Sequence, residues 1–408
     1  MANRPTARTD LSRSAILAHL GAHGHASRAD LARALDLSPA LMTQLVKGLL
    51  ADGLVEELDE QRSLGGRPAR LLGLASTAGR SVGVKVAPDH LAFVDVGLDG
   101  TVVRSAQEPF DPSSPTMLDE LVKALERFIA GGGSVPVLGV GVGVPGSVDE
   151  QGSGLTDSHQ LGWSKIPLGA TLRRALGLPV LVENNVNALA MAEKLFGLGR
   201  QHRNYLVLTI GTGVGAAIVV DGVVVRGGSG GAGEIGHVPV VEDGAPCTCG
   251  NSGCLESIVG EAALERAARA AGIVAPTAGI VALTRAADDG EVEAQRIFSR
   301  AGHDLARVLA GVVQIFDPEV VVVLGEGTAA WSHWSYGFEP AFRRSLLPDR
   351  RGVPVVVENW TDESWAQGAA ALVLSTPFDA VGVAGEQGRL VRSRLNDLTT
   401  LQEESDGR

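Results

Sequence analysis

All three cysteines of this 408-residue chain, Cys247, Cys249 and Cys254, fall within eight residues, and His237 lies ten residues before the first of them. Cys-x-Cys-x4-Cys with one histidine supplies four soft or borderline ligands, the number that a closed tetrahedral zinc site needs. Gly250 and Gly253 let the backbone turn tightly enough for three thiolates to reach one ion. A disulfide framework is disfavoured, because three cysteines cannot all pair and no export signal is evident. Zinc held by His237, Cys247, Cys249 and Cys254 has no open coordination position, so its expected role is structural.

Two carboxylates sit in the same stretch. Glu234 is three residues before His237, and Glu256 is two residues after Cys254. A loop pinned at both ends by a metal holds both carboxylates in fixed places. Fixed carboxylates beside an imidazole are suited to accept hydrogen bonds from a polyhydroxylated ligand.

The run GEIGH (233–237) followed by CxCGxxGCLE (247–256) resembles the signature of the ROK family of repressors, open reading frames and kinases. The resemblance extends from about Ser81 to about Leu374. It implies zinc on the His and three Cys, and a sugar contacted by Asn184, Asn185, Glu234, His237 and Glu256. It also implies a two-lobed actin-like, sugar-kinase (ribonuclease H-like) α/β fold. His237 then has two tasks, one ring nitrogen on zinc and the other toward the ligand, with the metal fixing the tautomer.

The net charge is −12 at neutral pH, so the chain as a whole repels nucleic acid. The charge is uneven: residues 1–50 hold six Lys/Arg against three Asp/Glu. DNA contact is therefore expected from the first segment alone. No signal-peptide pattern and no run of about 18 apolar residues is present, so a cytoplasmic location without a membrane span is expected.

In that first segment a helix fits Leu11–Leu20. Ser27 with Asp30 forms a capping-box pattern for a second helix to about Leu35. Ser38-Pro39 starts a third helix that ends at Asp52-Gly53. Met42, Leu45, Val46 and Leu49 recur at helical spacing and should face inward, leaving Thr43, Gln44 and Lys47 outward on a recognition helix. Two short strands, Leu54–Leu58 and Arg70–Leu74, then flank a Gly65-Gly66-Arg67-Pro68 loop. This is a winged helix-turn-helix pattern, with Arg67 placed to enter a minor groove. It resembles the N-terminal domain of ROK repressors, which the family's kinases lack.

The expected organisation is a winged helix over 1–75, a small α/β lobe over 76–190 completed by 361–375, a large lobe over 191–360, and a tail from 376 with a short helix near Arg389–Leu398. Gly141-x-Gly143-x-x-Gly146 matches a dinucleotide fingerprint literally, but that fingerprint must open a helix, and Val-Pro-Gly-Ser-Val reads as a turn.

Family kinases carry D-x-G-G-T-K where this chain has Lys85-Val86-Ala87-Pro88-Asp89-His90. Pro88 has no N–H to offer a phosphate, and Asp89 would repel one. Where those kinases have a catalytic Asp, this chain has Asn185, which hydrogen-bonds a hydroxyl but does not take up its proton. Gly211–Gly215 and Gly325-Glu326-Gly327 resemble a phosphate loop and an adenosine loop, and both also serve as turns between strands. The expected protein is a non-enzymatic, sugar-responsive regulator, most simply a repressor. Its expected partners are operator DNA and a monosaccharide, and its expected assembly is a homodimer or homotetramer. The alternatives are an ATP-dependent sugar kinase with an appended DNA-binding domain, and a regulator whose effector is another protein.

Overall fold

The computed structural model describes residues 7–61, 69–149, 153–358, 361–376 and 385–405. The chain divides into two compact units, residues 1–200 with 363–408, and residues 201–362.

The first unit opens with α1 (Ala7–His23), β1 (Ala26–Ser27), α2 (Arg28–Ala34) and α3 (Pro39–Ala51). The caps are those of the sequence pattern. Ser27 Oγ accepts from the Asp30 N–H, and Ser38 Oγ accepts from the Leu41 N–H. Met42, Leu45, Val46 and Leu49 are buried, and Thr43, Gln44 and Lys47 lie on the exposed face of α3. β2 (Val55–Gln61) and β3 (Ala69–Leu74) pair antiparallel, and β1 adds to β3 as a third strand. Arg67 and its loop lie outside the described residues.

Next come β4 (Arg80–Val86), β5 (His90–Gly97), β6 (Val102–Pro109), α4 (Met117–Ala130) and β7 (Val137–Val144). The small strands β8 (Ser147–Val148), β9 (Leu155–Ser158) and β10 (Trp163–Pro167) follow, then α5 (Leu168–Leu176), β11 (Val180–Asn184) and α6 (Asn185–Phe196). Among the described residues β11-β7-β4-β5-β6 form one five-stranded sheet, with β4 to β6 antiparallel and β7 and β11 parallel to β4. The literal dinucleotide fingerprint lies on β7 and runs through Gly146 into β8. No helix follows it, so that reading is excluded by the fold.

The second unit repeats the topology. It contains β12 (Tyr205–Ile210), β13 (Val214–Val220) and β14 (Val223–Val224), then α7 (Glu256–Val259), α8 (Glu261–Ala270), α9 (Ile280–Asp288), α10 (Val292–Phe316), β15 (Val320–Leu324), α11 (Trp331–Ser345) and β16 (Val355–Val357). Its described strands run β14-β13-β12-β15-β16, again an antiparallel meander followed by two parallel strands. This repeat is the two-lobed α/β architecture that the sequence implies.

The chain then returns to the first unit as α12 (Asp362–Ser375) and α13 (Gly385–Ser405). The sequence reading expects a tail here with a short helix near 389–398. Instead α13 is 21 residues long, with Val391 and Leu395 buried and Gln387 Oε1 accepting from the Val180 N–H. A polar helix with so few inward side chains carries almost no periodic signal.

One hydrophobic core joins the winged helix to the lobe: Ile16 and Leu20 of α1 belong to the same buried cluster as Val94, Val96 and Leu98 of β5, Leu195 of α6 and Leu374 of α12. α12 lies close on the sheet because β4 and β7 present glycines to it. A Cβ at Gly141 would sit 1.8 Å from the Ala369 carbonyl oxygen. No helix among the described residues is long and apolar enough to cross a membrane. Gly141→Ala should therefore lower unfolding stability by about 1–3 kcal/mol or more, the usual range for overpacking, read as a fall in denaturation midpoint.

Candidate functional site

The second unit carries the cysteine loop. His237 ends a short turn, Ile235–His237, that packs on β13. The loop then folds on itself through backbone bonds from Val240 N to Gly253 O, from Cys247 N to Asn251 O and from Gly253 N to Ala245 O, each 2.8 Å. Gly253 has φ +71°, and a Cβ there would lie 1.7 Å from the Val241 carbonyl oxygen. Only glycine closes this turn without moving the backbone.

These turns bring the ligand atoms of His237, Cys247, Cys249 and Cys254 within 4.8 Å of one another. Cys247 Sγ is 3.4 Å from His237 Nδ1, and Cys249 Sγ is 3.7 Å from Cys254 Sγ. Burial and the neighbouring thiols push the Cys254 thiol up to about 12, whereas the backbone N–H of Asn251 lowers Cys249. Three thiols packed together resist becoming thiolates unless a cation joins them. The donor set is that of a metal site, and all four residues singled out from the sequence are in it.

The carboxylates take different positions. Glu234 precedes the turn, and its Oε2 is 3.8 Å from His237 Nε2. His237 thus faces the thiols with one nitrogen and Glu234 with the other. Glu256 begins α7, and its Oε2 accepts from the Val214 N–H at 3.0 Å, so the loop is tied to β13. Glu234, His237 and Glu256 all lie around this one turn.

Asn184 and Asn185 lie in the first unit at the start of α6. The Asn184 side chain caps the helix, accepting from the Val186 and Asn187 N–H groups at 2.8 and 3.2 Å, and it donates to the Gly146 carbonyl at 2.8 Å. One amide hydrogen of Asn184 is left over. Asn185 is half-buried, and its carboxamide has no hydrogen-bond partner among the described residues. Trp163, expected near the ligand, is instead buried, with its indole N–H donating to the Pro112 carbonyl at 3.0 Å.

The Lys85–His90 segment is the hairpin between β4 and β5. Ala87 N–H donates to the His90 carbonyl, Pro88 has no N–H, and Asp89 pairs with His90 at 2.7 Å. Lys85 is buried, with its Nζ 5.2 Å from the centre of the Trp365 ring. On α3 the exposed Thr43 turns its hydroxyl back to the Pro39 carbonyl at 2.7 Å, leaving Gln44 and Lys47 as the outward polar groups. The helix cap made by Asn184 was missed by the sequence reading, although Asn before a helix is a legible N-cap signal.

The ROK family profile matches residues 81–376. The chain belongs to the ROK family. A MarR family profile matches residues 9–63, over the winged helix. The xylose repressor of Bacillus subtilis (strain 168) is 30% identical over 300 residues, covering 73% of this chain and 77% of the repressor. The crystal structure of a ROK family transcriptional regulator, homolog of E. coli MLC protein, superposes with a TM-score of 0.76 at 26% identity, covering 95% of this chain and 99% of that one. A ROK family glucokinase from Streptomyces griseus, in complex with glucose and AMPPNP, gives 0.65 at 28% identity and covers 72% of this chain and 99% of its own. The kinase match covers less of this ROK protein than the regulator match does. With a MarR-type winged helix ahead of its ROK domain, this chain is a DNA-binding regulator of the sugar-responsive repressor kind. Asn184→Ala should cost about 0.5–2 kcal/mol by removing the α6 cap, measurable by chemical denaturation.

Proposed function

We propose that this protein is a transcriptional repressor that binds operator DNA through α3 and its wing, and releases it when a monosaccharide binds. The proposed DNA contacts are Thr43, Gln44 and Lys47, with Arg67 on the wing. The proposed sugar contacts are Asn184, Asn185, Glu234, His237 and Glu256. The observation that carries the coupling is α6. Its first residues are the proposed contacts Asn184 and Asn185, and its last turn supplies Leu195 to the core that also holds Leu20 of α1. A displacement of the helix start by a ligand is passed along a 12-residue rod to the DNA-binding domain.

The reading as a non-enzyme rests on the β4–β5 hairpin and on Asn185. The Ala87 N–H is used inside the turn and Pro88 has none, so the backbone there offers a phosphate little. General-base assistance is typically worth about 10²–10⁴-fold, and a carboxamide does not provide it. A homodimer whose two recognition helices reach half-sites about 34–36 Å apart suits this mode of release, and a homotetramer is the other assembly to test. Thermal stability across a panel of monosaccharides tests the reading. One sugar should raise the midpoint without nucleotide, by about 2.7 kcal/mol of apparent stability at a hundredfold excess over Kd. A coupled assay with that sugar and MgATP should show no turnover. Steady phosphorylation would put the kinase reading in its place.

The metal is proposed to be structural zinc. Zinc about 2.3 Å from sulfur and about 2.0–2.1 Å from nitrogen gives tetrahedral edges of about 3.8 Å between sulfurs and about 3.6 Å from sulfur to nitrogen. The observed 3.7 and 3.4 Å match those edges. Zinc would carry no chemistry here beyond holding Glu234 and Glu256 in place. Cys249→Ser should remove bound zinc, measured by elemental analysis, and should lower both thermal stability and the sugar response. Full sugar response in a zinc-free variant would contradict this role.

A further inference from the structure

The second unit contains a cavity of about 390 Å³ that the sugar and DNA readings do not use. It lies among α8, α9, α10 and α11, with Leu264, Ile280, Phe298 and Trp334 in its walls. Its size and apolar walls are those of a small-molecule site.

The polar groups around it define what can enter. Its ionisable lining is three carboxylates, Glu261, Asp288 and Glu326, against one guanidinium, Arg285. Two of those carboxylates occupy the glycine loop after β12. Glu326 lies so close to Gly211 that a Cβ there would be 2.3 Å from its Oε2. Glu261 accepts from Thr212 Oγ1 at 3.4 Å. Burial and the nearby Glu265 push the Glu261 carboxyl up, consistent with crowded negative charge. A phosphate chain at this loop would meet two carboxylates where it needs donors. The second feature is Trp334. It is 2% exposed, and its indole N–H is buried without a hydrogen-bond partner. A buried donor left unpaired destabilises the protein, and an acceptor atom supplied by a ligand removes that penalty.

We infer that this cavity is a second effector site for an uncharged, flat, amino-bearing heteroaromatic compound, a free base or nucleoside without phosphate. Its ring lies among the aromatic and aliphatic walls. A ring or carbonyl acceptor takes the Trp334 N–H, and its amino hydrogens face the carboxylates. The inference goes beyond the repressor reading and needs neither sugar nor DNA to be tested.

Isothermal titration of the full chain with adenine, adenosine, ATP and MgATP decides it. Adenine or adenosine should bind at least about tenfold more tightly than ATP, with or without magnesium, and the stronger of the two says whether a ribose is accommodated. Trp334→Phe, which keeps an aromatic wall and deletes the donor, should weaken that binding at least about fivefold. Glu326→Gln, a change at a half-exposed side chain, should narrow the gap between adenosine and ATP. ATP binding as tightly as adenosine would overturn the inference. So would no binding by either ring compound at millimolar concentration, or a Glu326→Gln protein with an unchanged preference.

Discussion

The packing of α1 onto the last turn of α6 places the DNA-binding domain and the lobe beneath it in a single hydrophobic core. Ile16 and Leu20 on one side and Leu195, Leu98 and Leu374 on the other are all nearly or fully excluded from solvent. Moving α6 without moving α1 would open a cavity in that core, and cavities in close-packed interiors are costly. A winged helix on a flexible tether could not sense a ligand at the start of α6. A winged helix sharing its core with α6 can. The helix is about 18 Å long at 1.5 Å per residue, so a small tilt at its start is felt at its end.

The ROK scaffold here has kept what holds a ligand and altered what would transform one. Turns at Gly250 and Gly253 gather the four metal donors, and the same loop carries Glu234 and Glu256. On the other side of the ledger, the β4–β5 hairpin spends its backbone donor internally, and Glu326 and Glu261 crowd the glycine loop with negative charge. These features sit in different units and point the same way, toward binding in place of phosphoryl transfer.

Much of the fold was legible because its signals are local. Ser27 with Asp30 and Ser38 with Pro39 marked helix starts that the structure reproduces, and the spacing of Met42, Leu45, Val46 and Leu49 gave the buried face of α3. The cysteine spacing led directly to the metal cluster. What escaped has weak or misleading periodicity. α11 contains Gly337 and Pro340 and is dominated by aromatic residues, so it does not read as an ordinary amphipathic helix, yet it supplies Trp334. α13 is polar and anchored at a few widely spaced positions. The strands β8 to β10 are short and embedded in turn residues. Asn184 was read as a ligand contact, and its additional work as a helix cap depends on a long-range partner, Gly146, that no local pattern shows.

The central claim is that sugar binding is transmitted to the DNA-binding face. Its most direct test is operator affinity, measured by fluorescence anisotropy at one fixed salt concentration, with and without the monosaccharide that stabilises the protein. The account predicts that saturating sugar weakens operator binding at least about tenfold, a coupling of about 1.4 kcal/mol. An operator affinity unchanged by a sugar that demonstrably binds would contradict it.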